Sequence, residues 1–178
     1  IALPDGPEFV AALFGILKIG AVVVMVNPDL KPDANSYFYQ YTRARAAFVH
    51  RDNRDAFETA RADAPLLGEL LVAGSETLER RLEAQSLELE TFPSHRDDAC
   101  IWLFSGGTTG HPKAVLQSHW SFAHTTAAYG QGVLGITEDD VTISVPKLFF
   151  GYAMGTNLFF PFSVGARSVF YPDKPTPE

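Results

Sequence analysis

Residues 1–26 run IALPDGPEFVAALFGILKIGAVVVMV, and each part of that stretch has a structural reading. Ile1 to Leu3 is short and apolar and predicts a strand, and Pro4-Asp5-Gly6 supplies turn chemistry. Pro7 sits where the first turn of a helix tolerates a missing N–H. Phe9, Leu13, Ile16 and Leu17 then recur at helical spacing until Gly20 stops the run. Ala21 to Val26 is a valine run with no polar alternation, as expected of a parallel strand covered on both faces. Strand, helix and buried strand in that order predict a βαβ unit and an α/β fold built on mostly parallel sheets.

Working outward, Asn27-Pro28 ends the second strand, and 31–45 predicts a helix carrying Tyr37, Phe38 and Tyr41 at helical spacing. Ala46 to Val49 resumes strand character. The theme repeats with a helix over 55–64, a strand over 69–73 and a charged helix over 75–85, with Ser75 and Leu78 at its start. The acidic, Pro93-containing stretch up to Asp98 reads as a seam. The expected organisation is therefore a first α/β lobe over 1–89, a linker over 90–98 and a second lobe over 99–178. A chain that opens inside a strand on Ile1 and closes on Pro172, Pro175 and Pro177 reads as a piece of a longer one, so self-association through open sheet edges is expected.

With 46% hydrophobic and 20% charged residues the chain has the material for a core and is not a disordered tail. Its net charge of −7, with Lys and Arg scattered, offers no basic stripe and argues against a nucleic-acid partner. Cys100 is the only cysteine, which rules out an internal disulfide and favours a reducing compartment such as the cytoplasm. Lys18 and Gly20 interrupt the apolar start, so neither a membrane span nor a signal peptide is read there. The histidines at 95, 111, 119 and 124 have no metal-ligand spacing. His50 reads as a strand end, and Glu138-Asp139-Asp140 as a solvated turn.

The chemistry is concentrated after the seam. A hydrophobic strand, Cys100 to Phe104, runs directly into Ser105-Gly106-Gly107-Thr108-Thr109-Gly110-His111-Pro112-Lys113. Three glycines let backbone amides approach an anion, Ser105, Thr108 and Thr109 add hydroxyls, and Lys113 adds positive charge, which together suit a polyphosphate. The nucleoside-triphosphatase loop needs Gly, four residues, then Gly-Lys-Ser/Thr. That pattern fails here, because His111 and Pro112 stand where the second glycine is required and Ala114 follows Lys113. Pro112 and the β-prone Ala114-Val115-Leu116 predict strand, loop, strand, so the grip on phosphate comes from amides, hydroxyls and Lys113 instead of a helix end. Ser118 is the expected cap of a following helix over 120–130, and Ser168 to Tyr171 a later strand.

The 105–113 stretch resembles the phosphate loop of the adenylate-forming superfamily, which includes acyl- and aryl-CoA ligases, luciferases and peptide-synthetase adenylation domains. Two positions depart from that pattern: Gly106 stands where Ser or Thr is common, and Ala114 where glycine usually follows the lysine. A second segment, Val145 to Ala153 followed by Gly155, Asn157, Leu158 and Pro161, is similar to the aromatic substrate-pocket motif of the benzoate–CoA ligase branch. Residues 7–28 resemble the opening of the same enzymes, so the likeness covers essentially the whole chain and implies part of a large N-terminal domain.

The resemblance implies that Ser105, Gly106, Gly107, Thr108, Thr109, Gly110 and Lys113 hold the phosphates of ATP. It also implies that Phe149, Phe150 and Tyr152 wall a pocket for the acid, with Gly151 and Ala153 leaving a slot for a flat ring. On the residues alone that aromatic cluster reads more readily as core packing. The implied activity is ATP-dependent activation of a carboxylic acid, aromatic by this motif, to an acyl-adenylate and its transfer to coenzyme A, with Mg2+ beside the nucleotide. The alternatives are a ligase or adenylation domain for a non-aromatic acid and a non-catalytic nucleotide-binding module. The family's adenine-binding segment, ribose aspartate, hinge and C-terminal catalytic lysine have no matching positions, so no catalytic or metal residue is assigned and the chain alone is expected to be inactive.

Overall fold

The computed structural model describes residues 1–106, 110–173 and 176. Its strands are β1 (Val23–Val24), β2 (Ala46–His50), β3 (Glu69–Ala73), β4 (Ala99–Ser105), β5 (Lys113–Ser118), β6 (Val141–Ile143) and β7 (Arg167–Val169). Its helices are α1 (Pro7–Lys18), α2 (Pro32–Thr42), α3 (Arg54–Arg61), α4 (Glu76–Glu83), α5 (His119–Thr125), α6 (Gly151–Met154) and α7 (Phe160–Val164). The protein is mixed α/β, and pairing among the described strands is parallel except for β4 with β5.

The expected first strand is reduced to a single parallel bridge, Ala2 to Val49. Hydrogen bonds nonetheless make it the joint between two sheets. Ala2 N donates to Phe48 O on β2 and His50 N returns to Ala2 O, while Ile1 N donates to Val24 O and Val26 N to Ile1 O on the β1 side. The hydrogen-bonded order is therefore β3, β2, residues 1–2, β1, β4, β5. β1 itself is only two residues long, because Val23 and Val24 alone pair with Ile101 and Trp102.

Helix starts follow local rules. Pro7 and Pro32 occupy first turns, and Ser75 Oγ accepts from Leu78 N. Ser118 and Ser121 form a reciprocal capping box that opens α5. Two helices then widen into π turns the sequence did not announce, over Thr126–Gln131 and Gly155–Phe159. Phe160 fits where they meet: a Cβ on Gly130 would stand 2.8 Å from its ring, and one on Gly155 3.1 Å.

The main core gathers Leu3, Phe9, Leu13 and Val23 with Cys100, Ile101, Leu148, Met154 and Leu158, all buried. Burying each large side chain of this kind contributes about 1.5–3 kcal/mol. The core therefore draws on residues from both sides of 90–98. That segment is itself docked: Phe92 N donates to Lys18 O, and the Arg96 guanidinium lies 3.9 Å over the Trp120 ring.

Candidate phosphate loop and substrate segment

The loop grows out of an antiparallel hairpin. β4 and β5 pair from Ala99 with Ser118 to Ser105 with Lys113, with a register shift at Cys100. Strand, loop and strand stand in the order expected from Pro112 and the apolar run after Lys113. The register sets Ser105 directly opposite Lys113, so a hydroxyl and an ammonium flank the mouth of the connection. Gly107, Thr108 and Thr109 lie outside the described residues. Of the rest, Ser105, Gly106, Gly110 and Lys113 are exposed, and Lys113 has no ion pair among the described residues. Gly110 holds φ at +98°, a conformation that favours glycine, and no atom of the described residues lies within 4 Å of a Cβ built on Gly106 or Gly110. Glycine backbone, a hydroxyl and a cation without an ion pair among the described residues are groups whose chemistry suits an anion.

The hairpin is backed by aromatic side chains. Phe38 and Tyr41 of α2 meet Phe104 edge-on at 4.7 and 5.9 Å, and Tyr37 hydrogen-bonds to Pro112 O. The sequence shows the α2 aromatics at helical spacing, but nothing local tells that their partner is a loop 75 positions away.

The second predicted segment is pinned at its base. Asp5 Oδ1 accepts from Leu148 N at 2.9 Å, and Lys147 Nζ donates to the carbonyls of Tyr171 and Asp173. Asp5 is 4% exposed; burial raises its carboxyl from the ordinary range, opposed by the Leu148 N–H and the Lys147 charge. Asp5 carried no sequence signal beyond its place in a turn.

Beyond Phe150 the chain turns into α6. Phe149 packs on the main core with its ring centroid 4.4 Å from that of Phe150. Phe150 and Tyr152 are exposed, whereas Ala153 is fully buried. Leu103 Cδ1 of β4 lies 2.8 Å from where a Gly151 Cβ would stand. The close approach of Gly151 thus seats the substrate segment on the strand that ends at Ser105, and brings the two predicted motifs to the same strand.

A separate apolar groove of about 640 Å³ lies between α1, α5 and α7, lined by Phe14, Phe122, Phe159 and Phe162 with His119 and Cys100. None of the predicted site residues among those described lines it. Among the described residues no three His, Cys, Asp or Glu side chains come together as a metal site, and no helix is long and apolar enough to cross a membrane.

A family model described as AMP-binding enzyme matches residues 1–178. Over 180 residues the chain is 36% identical to a benzoate–CoA ligase of Thauera aromatica, covering 99% of this chain and 34% of that one. It is 33% identical to a 4-hydroxybenzoate–CoA/benzoate–CoA ligase of Rhodopseudomonas palustris, covering 99% and 33% respectively. The crystal structure of an anthranilate–CoA ligase in complex with anthranoyl-AMP superposes with a TM-score of 0.91 at 36% identity, over 97% of this chain and 34% of that one. The chain thus spans about a third of the length of the curated relatives it matches.

Proposed function

This chain belongs to the AMP-binding enzyme family, and from that premise we propose that it is part of an acid–CoA ligase that activates an aromatic, benzoate-like carboxylic acid. The observation that carries the proposal is the hairpin end that pairs Ser105 with Lys113, on the same strand that seats Gly151 of the substrate segment. The relatives named for benzoate, hydroxybenzoate and anthranilate favour an aryl acid over the alternatives.

A carboxylate is a poor electrophile until one of its oxygens becomes part of a good leaving group. In the proposed reaction that oxygen attacks the α-phosphorus of ATP and pyrophosphate departs. The sulfur of coenzyme A then attacks the acyl carbon and AMP departs. Ser105, the backbone of Gly106 to Gly110 and Lys113 have the task of holding the phosphate chain and offsetting the charge that builds on the leaving pyrophosphate. Phe149, Phe150 and Tyr152 are proposed to wall the acid pocket, with Gly151 and Ala153 as the small residues beside them, and the approach of Gly151 to Leu103 holds the segment close to β4.

Mg2+ enters as the companion of ATP. Among the described residues no three His, Cys, Asp or Glu side chains come together to hold it. The 90–98 segment is proposed as a seam within one domain, since residues on both sides share the core. A cytoplasmic location and association through open edges, such as β5 with its exposed Val115 and Leu116, complete the proposal.

The test is acid-dependent ATP–pyrophosphate exchange by the full-length protein that contains this chain, over benzoate, hydroxybenzoates, aminobenzoates and fatty acids, with the 178-residue chain alongside. Exchange with aryl acids by the full-length protein and none by the chain alone is expected. Exchange with fatty acids only refutes the aryl assignment.

A further inference from the structure

The exit of the β4–β5 loop is held from outside its own hairpin. Tyr37 donates its hydroxyl to the Pro112 carbonyl at 2.8 Å, and its ring stacks on His111 with centroids 4.9 Å apart and planes 24° from parallel. Behind it Tyr41 stacks on Tyr37 at 5.4 Å and meets Phe104 edge-on. Phe104 directly precedes Ser105, and Pro112 directly precedes Lys113. One face of α2 therefore grips both legs of the hairpin, each one residue from the pair that flanks the loop mouth.

The Pro112 carbonyl and the Lys113 N–H share one rigid peptide plane. The proline ring also fixes φ at Pro112. Anchoring that carbonyl consequently orients the peptide from which Lys113 departs. We propose that Tyr37 is a positioning residue for the phosphate loop, presetting its exit so that ATP meets Lys113 without first having to order it. This rests on the reading of the loop as the ATP phosphate site. Tyr39, on the same helix, supplies a contrast: it is buried, its hydroxyl has no hydrogen-bond partner among the described residues, and it packs against Phe57.

The experiment compares Tyr37→Phe, which keeps the ring and removes the hydroxyl, with Tyr39→Phe in the full-length protein. Amide hydrogen exchange at His111, Lys113 and Ala114 is read without ligands, and KM for ATP and for benzoate in ATP–pyrophosphate exchange. Tyr37→Phe is expected to speed exchange at those amides and to raise KM for ATP about three- to tenfold, the worth of one net hydrogen bond. KM for benzoate stays within about twofold, and Tyr39→Phe moves neither readout. Unchanged amide exchange in Tyr37→Phe overturns the proposal, as does a fall in kcat with KM for ATP unchanged. A wild type that catalyses no exchange with any acid removes the ATP reading and this proposal together. Wild-type turnover distinguishes that result from failure of the proposal alone.

Discussion

Burial at Cys100 pushes its thiol from 9.0 up to about 11, and only 2% of the residue is exposed, so the side chain is a small apolar filler beside the loop and not a nucleophile. A thiol reagent at pH 8 should label it only after denaturation; prompt labelling of the native protein would contradict this. Because the folded value lies above the unfolded one, this group's contribution to stability is full below pH 9.0 and is lost as pH rises toward about 11. Asp5 has the same sign in the acid range. Its carboxyl is raised above 3.8, so its contribution is full below that pH and declines above it. Asp5→Asn keeps an oxygen for Leu148 N and removes the buried charge, so stability at pH 7 should hold or rise by about 1 kcal/mol, with a flatter pH dependence above pH 4. Denaturant unfolding at both pH values checks it, and a clear loss at pH 7 counts against the role assigned here. At this scale the Ser118 cap was legible because its neighbours in sequence define it. Asp5 and Tyr37 were not, since each acts on a partner far along the chain.

Elements were legible where local chemistry and tertiary packing agree. Pro7 and Gly20 bracket α1 as expected, and Pro112 with the apolar run behind it announces β5. Failures came where packing overrides propensity. Of the valine run over 21–26 only Val23 and Val24 pair with β4, while Val26 bonds to Ile1 on the other side. The π turns have no sequence period of their own; they exist where Phe160 wedges between Gly130 and Gly155. A methyl at Gly130 would sit 2.8 Å from the base of the Phe160 ring, where the side chain has little freedom to retreat. Gly130→Ala should therefore destabilise the protein by about 1–3 kcal/mol in chemical unfolding. An unchanged midpoint would show that the helix pair does not depend on that close approach.

Over the whole molecule, the sequence order of strands and helices was enough to predict an α/β fold, but not that residues 1–2 bridge two sheets into one hydrogen-bonded series. That joint depends on two residues whose partners are β1 and β2, a fact of topology with no local signature. The candidate site followed the same division. The loop's residue types were legible, while its support from α2 and the seating of Gly151 on Leu103 emerge only in three dimensions. The proposed function depends on the β4–β5 mouth binding the phosphate chain of ATP through Lys113. The most direct measurement is the affinity of the full-length protein for pyrophosphate by calorimetry, wild type against Lys113→Ala. Loss of a charge-assisted contact predicts binding weaker by about ten- to a hundredfold with the fold intact. Equal affinity in a folded variant would contradict the claim.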